Sequence, residues 1–505
     1  MRDGVQLITY ADRLAGSIPG LTRMLGSGPL AGLFTGVHVL PFFTPYDGAD
    51  AGFDPADHRE VDARLGTWDD VAELGLTAQT CVDLIVNHVS ADSAWFRDVV
   101  EHGDASPYAG MFLTFDGLFP AGATEEQLLT IYRPRPGLPF TAMRLGGRKR
   151  LVWTTFTSQQ IDLDLRDPQA RGYLTEIIEA LAAHGVTMVR VDAVGYAVKT
   201  PGTSSFMTPE TFAFIEELSG QMRALGLEVL VEVHSYYERQ IEIARHVDRV
   251  YDFGLPPLVL HALHAGDVAP LVRWLSVRPV NCVTVLDTHD GIGVIDVGAD
   301  ATADPDGPPS PGLLTPDQLD ALVESIHAAS GGSSRLATGA AASNLDLYQV
   351  NCTFYDALGR DDVRYLVARM IQFMAPGIPQ VYYVGLLAGT NDLDLLARTG
   401  VGRDVNRHHY TPDEVEEALR RPVVGALASL VRLRNAHPAF GGAFSCGAGT
   451  TPGALWMSWD LGGEHVSLET DTAQGTFTLE WTTPDGARSA STVRDLLEAP
   501  VPLTV

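Results

Sequence analysis

With 505 residues, 45% of them hydrophobic, the chain exceeds an ordinary single domain and has the apolar content for one large core with smaller attachments. Its 63 acidic against 35 basic side chains leave a net charge of −28, which argues against nucleic acid and anionic membrane as partners and requires a local patch of arginine for any anionic substrate. Cys81, Cys282, Cys352 and Cys446 are widely spaced and form no CxxC, which speaks against disulfide frameworks and zinc sites and fits a reducing compartment. The opening MRDGVQLITY enters a strand pattern without a basic and apolar leader, and no run of 18 apolar residues occurs, so the chain reads as cytoplasmic.

Short apolar strands alternate with amphipathic helices, the rhythm of βα units on a parallel sheet. Strands are predicted at Val5 to Tyr10, at Val37 to Phe42, and at Cys81 to Val86, the last delivering Asn87 and His88 at its end. A Pro- and Gly-rich stretch at 89–166, containing YRPRPGLPF, is too long for an ordinary loop and predicts an inserted domain. Alternation resumes at Asp167-Pro168, an N-cap followed by proline at the first helical position. The strand of VRVDAVGY, a helix from Thr208-Pro209 to Leu225, the strand LEVLVEV and strands at Arg249 to Asp252 and Val283 to Leu286 follow. A second irregular region at 292–358 interrupts before a helical face at Tyr365 to Phe373 and a strand at Gln380 to Val384. Period-two alternation in ALWMSWDL and GTFTLEW predicts an antiparallel β domain over 439–505. Eight strands with helices between them make a (β/α)8 barrel the most economical fold, assembled from 1–88, 167–291 and 359–438.

In such a barrel, chemistry sits at the C-terminal strand ends, where His88, Asp192, Glu232 and Asp290 all fall. Arg190 and Asp192 share one face of their strand, so a permanent cation and an acid point together toward the strand end. That is costly in a core and useful in a site. Two carboxylates flanking a bond are the apparatus for glycosyl transfer, and a third suits substrate hydroxyls.

DLIVNH, VRVDAVGY, EVHSYY and DTHDG resemble, in chain order, the four sequence blocks of the α-amylase-type retaining glycoside enzymes. FTPYDGADAGFDP, RPRPGLPF, GTSSFMTPETF and AAASNLDLYQVN are similar to the sucrose phosphorylase family in particular, and that resemblance runs through nearly the whole chain. It implies that Asp192 is the nucleophile, Glu232 the general acid/base and Asp290 the transition-state stabiliser, with Arg190 orienting Asp192. It further implies that His88 and His289 bind glucosyl hydroxyls, that Asp50 and Arg403 close the far end, and that Tyr196, His234 and Gln349 meet the leaving sugar. Phe53 offers an apolar ring to the sugar face.

Arg135 and a mobile loop carrying Asp346, Leu347 and Tyr348 would, on the same resemblance, form the phosphate site. The implied partners are sucrose, inorganic phosphate, glucose 1-phosphate and fructose, in a homodimer without cofactor. Asn87 matches a calcium ligand of many amylase-type relatives, but the inserted domain shows no accompanying Asp-rich loop, so no structural calcium is expected. Alternatives within the fold are a sucrose hydrolase or transglucosylase, or a phosphorylase for glucosylglycerol, glucosylglycerate or sucrose 6′-phosphate; NLDLYQ supplies none of the extra basic residues that a phosphorylated sugar would need.

Overall fold

The computed structural model describes residues 4–134, 137–300, 310–338 and 349–498. Eight parallel strands close a barrel: β1 (Gln6–Thr9), β2 (Gly36–Val39), β3 (Gln79–Ile85), β4 (Met188–Asp192), β5 (Glu228–Val231), β6 (Arg249–Asp252), β7 (Cys282–Thr284) and β8 (Ile378–Tyr382). Each neighbours the next in sequence, and β8 closes on β1. The helices that cover the barrel start where their sequence dictates. Asp167 caps Pro168–Ala183 by accepting from the amides of Gln169 and Ala170, and Thr208 caps Pro209–Ala224. Tyr173, Leu174, Ile177, Ile178 and Leu181 form the buried face of the first of these.

The barrel interior is polar as well as apolar. Gln380 donates to Gln6 at 2.9 Å, and Tyr251 donates to Gln380 at 3.2 Å with its hydroxyl 3.3 Å from His38 Nδ1. The other His38 nitrogen lies 3.0 Å from Asp83. A hydrogen-bonded chain thus crosses the barrel floor from β1 to β3, and buried polar groups tolerate that position only when satisfied in this way.

Three attachments frame the barrel mouth. Between β3 and β4, a hairpin of Phe140–Leu145 and Arg148–Trp153 packs over its own small core of Leu113, Leu118, Phe119, Ile131 and Trp153. The chain returns along Gln160–Asp162, antiparallel to His88–Ser90. Between β7 and β8, Gln349–Val350 pairs with Ile292–Gly293, which brings Gln349 back over the barrel. At the end of the chain, β9 (Ala443–Ala448), β10 (Ala454–Leu461), β11 (Glu464–Asp471), β12 (Thr476–Thr483) and β13 (Gly486–Ala490) form one antiparallel sheet. Trp459 of that sheet anchors it to the barrel layer by donating to the Met374 carbonyl at 2.7 Å.

Besides the strand predicted over Gln380 to Val384, which ends at Tyr382 where the helix Tyr383–Leu386 begins, two elements differ from the sequence reading. The predicted strand over Val37 to Phe42 leaves the barrel at Val39, and Phe43–Thr44 instead pairs with Asp57–Val61. Pro41 has no N–H to give a ladder, so continuation through it is disfavoured. The region predicted as all-β ends in a helix, Val493–Glu498, because Thr492 and Asp495 cap it reciprocally, Thr492 N donating to Asp495 at 2.9 Å and Asp495 N to the Thr492 hydroxyl at 3.2 Å. Among the described residues no helix is long and apolar enough to cross a membrane.

Candidate active site

Strand alternation sends Arg190 and Asp192 into the barrel together, and the register sets Arg190 directly opposite Asp83 on β3. Arg190 Nη1 donates to Asp83 Oδ1 at 2.5 Å and to Asp192 Oδ1 at 2.7 Å, and its Nη2 lies 3.7 Å from Glu232 Oε1. One guanidinium therefore serves three carboxylates. Burial pushes the Asp192 carboxyl well up from the ordinary range; Arg190 opposes that rise, while Glu232 and Asp83 add to it. For Asp83 burial acts in the same sense, but His38 and Arg190 prevail and bring it down to about 2. Asp192 and Glu232 thus share one buried cation.

Glu232 follows β5 directly and is fixed by the backbone of its neighbour. Ala193 adopts a left-handed conformation at φ 52°, and its N–H donates to Glu232 Oε2 at 3.1 Å. A non-glycine residue there costs about 1 kcal/mol, a strain tolerated because the turn re-aims the amide at the carboxylate.

Asp290 has a cation of its own. Arg403 Nη1 stands 2.8 Å from Asp290 Oδ1 and 4.0 Å from Asp50 Oδ1. Burial alone would raise the Asp290 carboxyl, but Arg403, with His289 and Arg407, holds it well below the usual range. Arg407, four residues on and fully buried, reaches the same two acids from behind, 3.9 Å from Asp50 and 4.0 Å from Asp290, and donates to the His289 carbonyl at 2.9 Å. These four residues form one charged wall, of which Asp50, Asp290 and Arg403 line the pocket.

The rings beside that wall are neutral. Burial pushes the His289 imidazole down to about 3 and also lowers His88. His289 stacks on Phe53, ring centroids 4.5 Å apart and 9° from parallel. His88 Nε2 lies 2.9 Å from the Phe53 carbonyl, and its Nδ1 lies 3.2 Å from the Asn87 side-chain amide. On the opposite side, Tyr196 sits in an aromatic cluster with Phe206 at 4.6 Å and Phe156 at 5.2 Å. His234 stacks on Phe253 at 3.8 Å, and Gln349 reaches to 3.5 Å from its Nε2.

All of these predicted residues except Arg190, which lies behind Asp192, line a single pocket of about 670 Å³ at the C-terminal strand ends. Arg135, Asp346, Leu347 and Tyr348 fall outside the described residues, as does most of the loop predicted to be mobile.

Beside the pocket, Asn87 and Asp162 face a cation supplied by the chain. Lys199 Nζ lies 2.5 Å from Asn87 Oδ1 and 2.5 Å from Asp162 Oδ2, with Thr155 donating to both Asp162 oxygens. Burial lowers the Lys199 pKa while Asp162 supports its charge. The position that matches a calcium ligand in amylase-type relatives is thus filled by an ammonium, and the donor set does not suit a divalent ion as well. Five contributors to the site escaped the sequence reading: Asp83, Asp162, Lys199, Arg407 and Asp296, whose Oδ2 lies 2.9 Å from His234 Nδ1. Asp83 carried a signal, being an acid in the middle of a buried strand, and Arg407 carried the four-residue spacing of RDVNR. The other three had none in the sequence alone.

Comparison with known proteins bears on the family. The family description "Alpha amylase, catalytic domain" matches residues 29–243. A sucrose phosphorylase of Agrobacterium vitis is 58% identical over 95% of this chain and 97% of its own length, and one of Bifidobacterium adolescentis is 54% identical over 95% and 92%. The crystal structure of sucrose 6F-phosphate phosphorylase from Thermoanaerobacter thermosaccharolyticum superposes with a TM-score of 0.88 at 36% identity, covering 97% of this chain and 98% of that one. Identity of this order over nearly the whole of both chains leaves no room for a shared fold alone: the chain belongs to the sucrose phosphorylase family of α-amylase-type enzymes.

Proposed function

We propose that this chain catalyses the reversible phosphorolysis of sucrose to α-D-glucose 1-phosphate and D-fructose, with retention, through a β-glucosyl ester on Asp192. The observation that carries the reading is the division of the carboxylates in one pocket: Asp192 and Glu232 share Arg190, while Asp290 is paired separately with Arg403. In the first half-reaction an Asp192 oxygen bonds to the anomeric carbon, the bond from that carbon to fructose breaks, and Glu232 gives its proton to the departing oxygen. In the second, a phosphate hydroxyl attacks the same carbon, Glu232 takes its proton, and the ester electron pair returns to Asp192. Asp290, kept anionic, supports positive charge on the sugar ring and binds its hydroxyls. The charged wall of Asp50, Arg403 and Arg407 suits one glucosyl unit rather than a polymer. The names of the most similar relatives support phosphate as the acceptor. A homodimer in the cytoplasm completes the proposal.

Incubation with sucrose and phosphate tests the reading directly. The expected products are fructose and α-glucose 1-phosphate in equal amounts; fructose with free glucose, insensitive to phosphate, would make the enzyme a hydrolase.

Water is present at tens of molar, so millimolar phosphate wins only if it is bound and oriented, an advantage worth about 7 kcal/mol or more. Arg135 is the proposed anchor, with the segment of Asp346, Leu347 and Tyr348, because a guanidinium meets two phosphate oxygens at once. Arg135→Ala is expected to raise the phosphate requirement roughly tenfold to a hundredfold, the weight of a lost charge-assisted pair, and to shift product toward glucose while fructose release suffers less. The ratio of glucose 1-phosphate to glucose against phosphate concentration reads this out. An unchanged ratio would make Arg135 a structural residue.

A further inference from the structure

The second half-reaction sets an electrostatic problem. Once fructose has taken its proton, Glu232 is a carboxylate, and an anionic phosphate must approach it with Asp290 close by. Among the described residues lining the pocket, Arg403 is engaged with Asp290, and burial keeps His88 and His289 neutral. His234 differs from those rings in one respect: it has a buried carboxylate of its own.

Asp296 is wholly buried on the short helix Ile295–Val297. Its Oδ2 lies 2.9 Å from His234 Nδ1, and its Oδ1 accepts from the Ser235 amide at 3.1 Å and from Gln240 Nε2 at 2.9 Å. The carboxylate is therefore oriented by two donors from the segment after β5 and turned onto the imidazole, an arrangement that fixes a proton on Nδ1. Nε2 is left facing the acceptor side, 3.7 Å from Glu232 Oε1. The Gln349 amide stands 3.5 Å from Nε2 and, turned end for end, presents its oxygen to an Nε2–H.

We propose that Asp296 is a positioning residue that holds His234 as an imidazolium at the acceptor end of the pocket, where it adds a second cation, besides the proposed anchor, for phosphate entering beside Glu232. This rests on the phosphorylase reading above. The charged groups around the ring are Asp296 from its own helix, Glu232 from the end of β5 and Asp290 from beyond β7; the stacked face belongs to Phe253, which is apolar. Burial alone would lower the imidazole, but Asp296, then Glu232 and Asp290, raise it above its ordinary value. The charge thus persists to higher pH than on an ordinary imidazole and is lost as pH rises through the raised value, so capture of phosphate weakens on that limb.

The test compares two products of one enzyme. In Asp296→Asn the ratio of glucose 1-phosphate to glucose at a fixed, subsaturating phosphate concentration is expected to fall about tenfold, the weight of one charge-assisted hydrogen bond. The alkaline decline of that ratio is expected to move to lower pH, and Asp296→Glu is expected to restore part of both. Independently, 15N spectra of the histidine-labelled parent, with the ring assigned by its absence in His234→Gln, are expected to show both His234 nitrogens protonated above pH 6.5, where an ordinary imidazole is half neutral. A ratio and pH profile unchanged in a folded Asp296→Asn enzyme would overturn the proposal, as would equal loss of both products with the ratio intact. If the variant does not fold, a neutral His234 ring in the parent spectra does so instead. A parent enzyme that makes no glucose 1-phosphate would overturn the phosphorylase reading itself, a result distinct from these.

Discussion

Asp192→Asn is expected to lower turnover by about 10⁴-fold or more while sucrose still binds. The amide has nearly the shape of the carboxylate and keeps its place beside Arg190, but its oxygen carries no charge and its nitrogen no usable lone pair, so the ester cannot form. Arg190 would still be held by Asp83 at 2.5 Å, which preserves the architecture and separates loss of chemistry from loss of structure. Rapid-quench measurement of fructose release, which reports the first half-reaction alone, checks the expectation. A fructose burst of normal amplitude in the variant, or a covalent sugar trapped on another residue of the parent, would remove Asp192 from the nucleophile's role.

The second large effect is on stability. Removing the Lys199 ammonium strands the Asp162 carboxylate, which is fully buried, and the loss of one partner from such a pair costs about 3–5 kcal/mol. Lys199→Ala is therefore expected to lower the thermal midpoint by several degrees in scanning calorimetry, and Asp162→Asn in the same chain is expected to recover part of the deficit because it removes the orphaned charge. A midpoint equal to the parent's would show that the cation has no weight at this junction. Activity is expected to fall as well, since Asn87, which Lys199 orients, hydrogen-bonds His88 of the pocket.

The parts of this molecule that were legible in the sequence are those where a local pattern and a chemical need coincide. Apolar runs located eight barrel strands, and the four that lead to His88, Asp192, Glu232 and Asp290 marked the side of the barrel where a pocket would lie. The chain delivers these residues to one pocket of about 670 Å³. What escaped was set by distance along the chain. Asp296 meets His234 across 62 positions and Lys199 meets Asn87 across 112, pairings that no periodicity encodes. Arg407 escaped likewise: it follows the short 3-10 helix Gly402–Asn406, and the groups that receive it, Asp50, Asp290 and the His289 carbonyl, come from distant parts of the chain. The helix at Val493–Glu498 was missed because an alternating pattern was carried past Ser491, where a capping signal had already ended it.

The lysine at the edge of the pocket bears on the medium in which the reaction runs. Inorganic phosphate is a substrate of the proposed reaction, and it is also a ligand that draws divalent cations out of carboxylate sites and precipitates them. A positive charge carried on the chain by Lys199, bonded at 2.5 Å to both Asn87 and Asp162, cannot be exchanged or extracted in this way. The junction between the barrel and its first attachment is thereby independent of ion supply, and the concentration of phosphate can vary over the whole range that drives the reaction in either direction without loosening the wall of the pocket that uses it.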